Sequence, residues 1–187
     1  MNSAKMEGRI MPRATRRMVQ QYLHIFEHDE RYFEADRAIT NLIEVFPKND
    51  ELSSVLLKVV TINQLYSTKI LATFAVAKHI LGCAVDGELN NGELSAIEHI
   101  RFVTIGDRQR DFYVFATKYC SWHNLKRYPI YDSFVEKSLR HFGVANGSLR
   151  QYQNLKNSID ALIQRDGLNT FGYKQIDKFL WLYGKDI

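Results

Sequence analysis

One stretch, Glu51–Tyr66 (ELSSVLLKVVTINQLY), is apolar over most of a helical surface. A helix of that kind is stable in water only near the centre of a protein, with other elements packed around it. The chain supplies those elements as a succession of segments whose apolar residues recur at helical spacing. After Arg13, Arg16 and Arg17, the residues Met18, Tyr22, Ile25 and Phe26 share one helical face. A second helix over about 32–46 turns Phe33, Ala38, Ile39, Leu42, Ile43 and Phe46 inward, Pro47 ends it, and Asp50 is placed to cap the central helix. A fourth helix over about 67–81 carries Ile70, Leu71, Phe74, Ala77 and Leu81 and stops at Gly82.

Residues 83–92 (CAVDGELNNG) form a turn-rich break. A short helix over about 93–103 and a polar connection at 105–110, with Gly106, follow. Further helices are expected over about 111–122, from Asp132 onward, over about 149–165 and over about 174–183. No segment alternates convincingly as a strand, and no internal repeat is present. The expected fold is all-α. Residues 13–187 would form one compact domain with a lobe boundary or hairpin tip near 83–92, and residues 1–12 a disordered extension.

No apolar run approaches the roughly 20 residues of a membrane span, and the N-terminus lacks the apolar core of a signal peptide, so no membrane partner and a cytoplasmic location are expected. Cys83 and Cys120 have no metal-ligand spacing, and two cysteines are too few for a four-cysteine iron–sulfur cluster. His24, His79 and His99 lie singly on helices, so no metal or other cofactor is expected. The net charge of +4 permits a nucleic-acid partner without requiring one.

The chemistry-bearing part of the chain is Phe112–Phe142, which holds nine aromatic residues, the basic pair Lys126 and Arg127, Pro129 and Asp132. Pro129 cannot continue a helix and biases Tyr128 towards an extended conformation. Asp132 then stands just before the periodic run Phe134, Val135, Leu139 and Phe142, where an N-cap belongs. A capping carboxylate and nothing more is a sufficient account of Asp132 from the residues alone.

The segment YPIYDSFVEKSLRHFG (128–143) resembles that of the helix-hairpin-helix DNA glycosylases, the endonuclease III-like superfamily, in which Pro, an apolar residue, Asp and an apolar-periodic helix occur in that order. VLLKVVTINQLYSTKI resembles the family's early helix ending in a small polar residue and Gln or Asn. FYVFATKY resembles its second hairpin helix, nearest the archaeal 8-oxoguanine branch, and KQIDKFLWLYGK its closing helix. The resemblance covers roughly residues 50–187.

It implies a two-lobed helical bundle without an iron–sulfur cluster. It also implies a monomeric, nucleoid-associated base-excision repair enzyme acting on double-stranded DNA that carries a damaged or modified base. In that reading Asp132 is the catalytic carboxylate. Asn63, with Gln64 beside it, fills the gap left by the flipped base. Arg108, Arg110, Lys126, Arg127, Lys137 and Arg140 hold phosphates. Tyr119, Trp122, His123, Tyr128 and Tyr131 receive the base.

Two departures stand out. The family's Leu-Pro-Gly-Val-Gly hairpin is not recognisable in VTIGDRQRDFYVFA, and its Schiff-base Lys is missing from Arg110–Val114. Lys118, one or two turns along, is the nearest candidate for that nucleophile, and an exposed helix face is the usual explanation of such a residue. The expected activity is therefore monofunctional hydrolysis of an N-glycosidic bond, with Asp132 stabilising the sugar cation and activating water. Two alternatives remain: a catalytically inactive DNA-binding protein of the same fold, and an unrelated all-α interaction protein.

Overall fold

A computed structural model describes residues 11–187 of the chain, so the expected extension over 1–12 lies outside them except for Met11 and Pro12. Ten helices and one two-stranded sheet form among the described residues. In chain order they are α1 (Arg16–His28), α2 (Glu30–Val45), α3 (Leu52–Leu65), α4 (Thr73–Cys83), α5 (Asp86–Asn91), α6 (Ser95–Arg101), β1 (Phe102–Ile105), β2 (Arg108–Asp111), α7 (Tyr113–His123), α8 (Ser133–His141), α9 (Tyr152–Asp166) and α10 (Tyr173–Asp186). None of these helices is long and apolar enough to cross a membrane.

The architecture is all-α apart from the hairpin β1–β2. The central helix α3 packs against α2, α4 and α7 through Val55, Val59 and Ile62, all fully buried. Its burial is one-sided, because Leu57, Val60 and Leu65 stay exposed, with no described element over them. Lys58 is enclosed on the opposite side, where its ammonium meets Lys48 O (2.7 Å), Phe46 O (3.2 Å) and Asn49 Oδ1 (2.6 Å). Burial outweighs nearby Asp86 and Asp50 and lowers its pKa to about 8.

Several local expectations are corrected. Asp50 does not cap α3: the cap position is Glu51, with no side-chain bond to the helix. The fourth helix begins six residues later than expected, at Thr73, because Ser67 (φ 51°) and Lys69 (φ 60°) are left-handed and Asn63 ties the loop between them. It ends on left-handed Ala84 rather than at Gly82. On α1 and α2, Ile25, Phe33 and Ala38 face solvent, while Val19, Leu23, Phe26 and Ile39 are the buried positions.

The largest correction concerns 102–111, where an antiparallel hairpin pairs Phe102 with Asp111 and Ile105 with Arg108 around a two-residue turn at Gly106 (φ 59°). Four-residue strands give too little alternation to read, and all four β2 residues are exposed.

The second half of the chain closes over the first. α10 packs on α8 and on α1, and Arg13 and Arg165 both reach Asp166, at 2.7 and 2.8 Å. These contacts bring the start of α8, the middle of α7 and one face of α10 around a common space.

Candidate active site

Asp132 has extended backbone (φ −147°, ψ 156°), and its Oδ1 accepts the backbone N–H of Phe134 at 3.0 Å. This is the cap that the Pro129–Asp132 spacing leads one to expect. The segment before it is fastened at three points. Tyr131 N donates to Thr117 Oγ1 (3.1 Å), Tyr152 Oη donates to Pro129 O (2.9 Å), and Tyr128 Oη lies 2.9 and 2.8 Å from Glu88 O and Glu93 O. From the other side α10 crosses so closely that a Cβ on Gly184 would overlap the carbonyl of Phe134. Asp132 is thus a carboxylate whose position the fold over-determines.

Among the described residues its other oxygen has one partner. Lys118, the sixth residue of α7, places Nζ 3.2 Å from Asp132 Oδ2. The exposed helix face expected for this lysine is overturned: it is 3 % exposed, within a buried run from Phe115 to Trp122. Nζ also lies 4.8 Å from the centre of the Tyr66 ring. Tyr66 is held by Trp122 Nε1 (3.0 Å) and Lys174 Nζ (3.2 Å), which both donate to its hydroxyl. Burial raises the Tyr66 pKa well above its ordinary value, so this wall is uncharged.

The pair opens onto a cavity of about 360 Å³. Phe26, Tyr32, Tyr66 and Trp181 give it aromatic walls, and Asp36, Asp177, Lys174, Lys178 and Lys185 give it charge. Lys174 and Lys178 share Asp36, at 3.3 and 2.7 Å. Lys185 lies over Trp181, 3.2 Å from the ring centre, and Lys178 over Phe26 at 4.2 Å. Asp177 makes no hydrogen bond among the described residues. Its enclosure raises its pKa from the ordinary carboxylate range to about 7, against the pull of Lys174 and Lys118, with Asp132 and Asp36 adding to the rise. Near neutrality it is present in both protonation states, so it can donate or accept a hydrogen bond. Aromatic walls beside a carboxyl that the described residues leave unbonded suit a planar polar heterocycle. Among the described residues no three His, Cys, Asp or Glu side chains converge to hold a metal.

The residues picked from sequence are distributed unevenly about this cavity. Asp132 and Lys118 line it, whereas the five aromatic and histidine residues chosen for the base do not. Tyr119 and Tyr128 are fully buried with their hydroxyls bonded to Asn49 and to backbone carbonyls, and Tyr131 is turned to Glu136 (2.5 Å). Trp122 stands one layer behind, against Tyr66 and Lys174. His123 stacks on Tyr119, and burial depresses its pKa to about 3, so it is neutral.

Asn63 is consumed by the loop after α3: it accepts from Thr68 Oγ1 (2.7 Å) and Ile70 N (2.9 Å) and donates to Ile70 O (3.0 Å). Gln64 is exposed beside the cavity residues Leu65 and Tyr66. Arg108 and Arg110 are exposed on β2, Lys126 and Arg127 on the turn after α7. Lys137 donates to Ile187 O, and Arg140 is bound to Glu136 (2.5 Å).

The cavity residues that went unselected sit chiefly on α2 and α10. Lys174, Lys178, Trp181 and Lys185 recur at steps of four, three and four, and Asp177 precedes Trp181 by four. That stripe on a closing helix was the available signal.

Comparison with known proteins places this geometry in a family. Residues 18–128 match the HI_0787_N family, described as an N-terminal domain, over more than half of the chain. The chain belongs to that family. The matched region runs from α1 through α7, so it includes Lys118 and stops four residues short of Asp132. A Haemophilus influenzae (strain ATCC 51907 / DSM 11121 / KW20 / Rd) relative, named only as an uncharacterized protein, is 42% identical over 127 residues, covering 67% of this chain and 63% of the relative. The chain therefore spans less than two thirds of that relative's length. No solved structure matches the chain.

Proposed function

We propose that the protein is a nucleobase-releasing N-glycosylase of the helix-hairpin-helix type, acting on a modified base turned out of double-stranded DNA. The observation that carries this reading is the Lys118–Asp132 pair, 3.2 Å apart in the wall of an aromatic cavity. Cleavage of a glycosidic bond builds positive charge on the sugar, and a carboxylate fixed at a helix N-terminus stabilises it without reorganising. Lys118 supplies the nucleophile. Its ammonium gives up one proton to solvent in the open cavity, and the freed electron pair attacks C1′, while Asp132 stays ionised and stabilises the sugar cation. The C1′–N bond breaks with its electrons passing to the departing base, and protonated Asp177 can donate the proton that the base then needs. The planar base would stack on the Trp181 ring in the place that Lys185 takes in the free protein, while Asp177 meets its polar edge.

This reading differs from the water-based mechanism suggested by the sequence, because the lysine is buried against the carboxylate. It also moves the reacting amine away from the start of α7. The region that resembles the family's glycine hairpin folds here as β1–β2, so phosphate contacts would fall to side chains rather than to glycine backbone amides.

The test is release of free base from duplexes that each carry one modified base, by wild type, Lys118→Gln and Asp132→Asn. Release by wild type from at least one duplex, and by neither variant, is the expected result. No release from a panel spanning oxidised, deaminated and enlarged bases would sink the enzymatic reading.

A further inference from the structure

Away from the cavity, the end of α1 carries two imidazoles that take no part in the core. His24 does not stand alone on this helix, because His28 follows it by four residues on the same face. Both are exposed, and their ring centres lie 3.9 Å apart. Two histidines at this spacing on a helix are a bidentate arrangement for a transition-metal ion. Imidazole nitrogens hold such ions at about 2.0–2.1 Å, so two of them on one ion stand roughly 3–4 Å apart, within reach of rings at this separation.

His28 is already fixed for this role. Its Nδ1 lies 2.9 Å from His24 O. A carbonyl only accepts, so Nδ1 carries the hydrogen and the neutral ring keeps its lone pair on Nε2. Metal-ligating histidines are commonly held in this way, by a carbonyl on the other ring nitrogen. The surroundings favour positive charge. His28 is the last residue of α1, where unpaired carbonyls make the helix end partly negative. That dipole accounts for one histidine here, but it gives no reason for a second ring beside the first. Glu30 lines the same shallow concavity as both histidines, and neither Glu30 nor Glu27 has a cation partner among the described residues. Asp29 is already taken, since Arg31 holds its two oxygens at 3.0 and 2.7 Å.

We propose that His24 and His28 together bind one late first-row divalent metal ion, of the Zn²⁺ or Ni²⁺ class, with water completing its shell and Glu27 and Glu30 balancing its charge. Imidazole suits these ions, whereas Mg²⁺ prefers oxygen ligands. Two protein ligands are what the described residues allow, since no three His, Cys, Asp or Glu side chains converge among them. The ion staples the last turn of α1 at the α1–α2 corner, which also supplies Phe26, Arg31 and Tyr32 to the cavity. The site stands independently of base release and is measured without catalysis.

The experiment is isothermal titration of the full chain, free of any histidine tag, with ZnCl₂, NiCl₂ and MgCl₂. The proteins are wild type, His24→Gln, His28→Gln and Cys83→Ser. The last is a control, because Cys83 Sγ lies 3.5 Å from His79 Nε2 and that pair also offers soft donors. Both α1 histidines are exposed, so their metal-free variants should melt like wild type. Wild type and Cys83→Ser should bind Zn²⁺ and Ni²⁺ alike and give no heat with Mg²⁺. Each histidine variant should bind at least about tenfold more weakly, because a lone imidazole has no chelating partner and even outer-shell losses cost about 10–100-fold. Zn²⁺ or Ni²⁺ should also raise the melting temperature of wild type and not of the histidine variants. Wild type that binds neither ion, or affinity kept by both histidine variants, would overturn the proposal. Loss in only one of the two would refute a shared ion.

Discussion

Asp132 does two jobs, and they separate by substitution. Asp132→Asn keeps an N-cap of nearly equal strength and an oxygen that can accept from Lys118; Asp132→Ala removes both. Losing the cap costs about 1 kcal/mol. Stripping a buried ion of its partner costs about 3–5 kcal/mol. The Asp132 side chain is 19 % exposed, so water compensates part of that. The expected destabilisation is about 1 kcal/mol for Asn and about 3 kcal/mol for Ala, read from urea midpoints at constant slope. Double-mutant cycles with Lys118→Met isolate the ion-pair share, and the Ala penalty should shrink by about 2 kcal/mol when Lys118 is already gone. Equal destabilisation by Asn and Ala, or an Ala penalty unchanged by Lys118→Met, would show that cap and ion pair are not the interactions Asp132 makes.

Three further outcomes follow from the same geometry. Gly184→Ala forces α10 off the Phe134 carbonyl. It should lower stability by about 1–3 kcal/mol despite better helix propensity, and cut base release further than the stability loss explains, as checked by thermal denaturation beside the activity assay. Asp177 is raised in the folded state, so wild type loses stability as pH climbs from about 4, where the unfolded carboxyl ionises, to about 7, where the folded one does. Asp177→Asn should therefore match wild type near pH 4 and exceed it by on the order of 2–4 kcal/mol above pH 7, measured by urea denaturation at both pH values. Thr117→Val removes the acceptor of the buried Tyr131 N–H and should cost about 1–3 kcal/mol in the same assay, while leaving the helix content by circular dichroism unchanged.

The helices were legible because burial on one face writes a period into the chain, and the Asp132 cap because Pro129 and the following apolar run bracket it. The hairpin was not, since four residues of β1 are too few to show alternation and the four of β2 are polar on both faces. The cavity was hidden for a different reason. Tyr119, Tyr128 and Tyr131 stand nearest Asp132 in sequence, yet helical packing turns their hydroxyls to Asn49, to backbone carbonyls and to Glu136. The walls come instead from α1, α2 and α10, brought to Asp132 by the packing of α10 on α8 and α1, closest at Gly184 and Phe134. Lys118 was in view, but its burial depends on α7 lying among α2, α3 and α6, which periodicity alone does not reveal.

The central claim is that Lys118 attacks the sugar carbon. Opening of the sugar ring at C1′–O4′ turns the lysine adduct into an imine, with the electrons passing to O4′. Borohydride reduces that imine to a stable amine, so the most direct measurement is borohydride trapping of wild type on a duplex from which it releases base, with the linked peptide mapped by mass spectrometry. A cross-link at Lys118, lost in Lys118→Gln and strongly reduced in Asp132→Asn, is the expected result. Base release without any cross-link, or a cross-link on another residue, would contradict it and return the nucleophile's role to water or to a different amine.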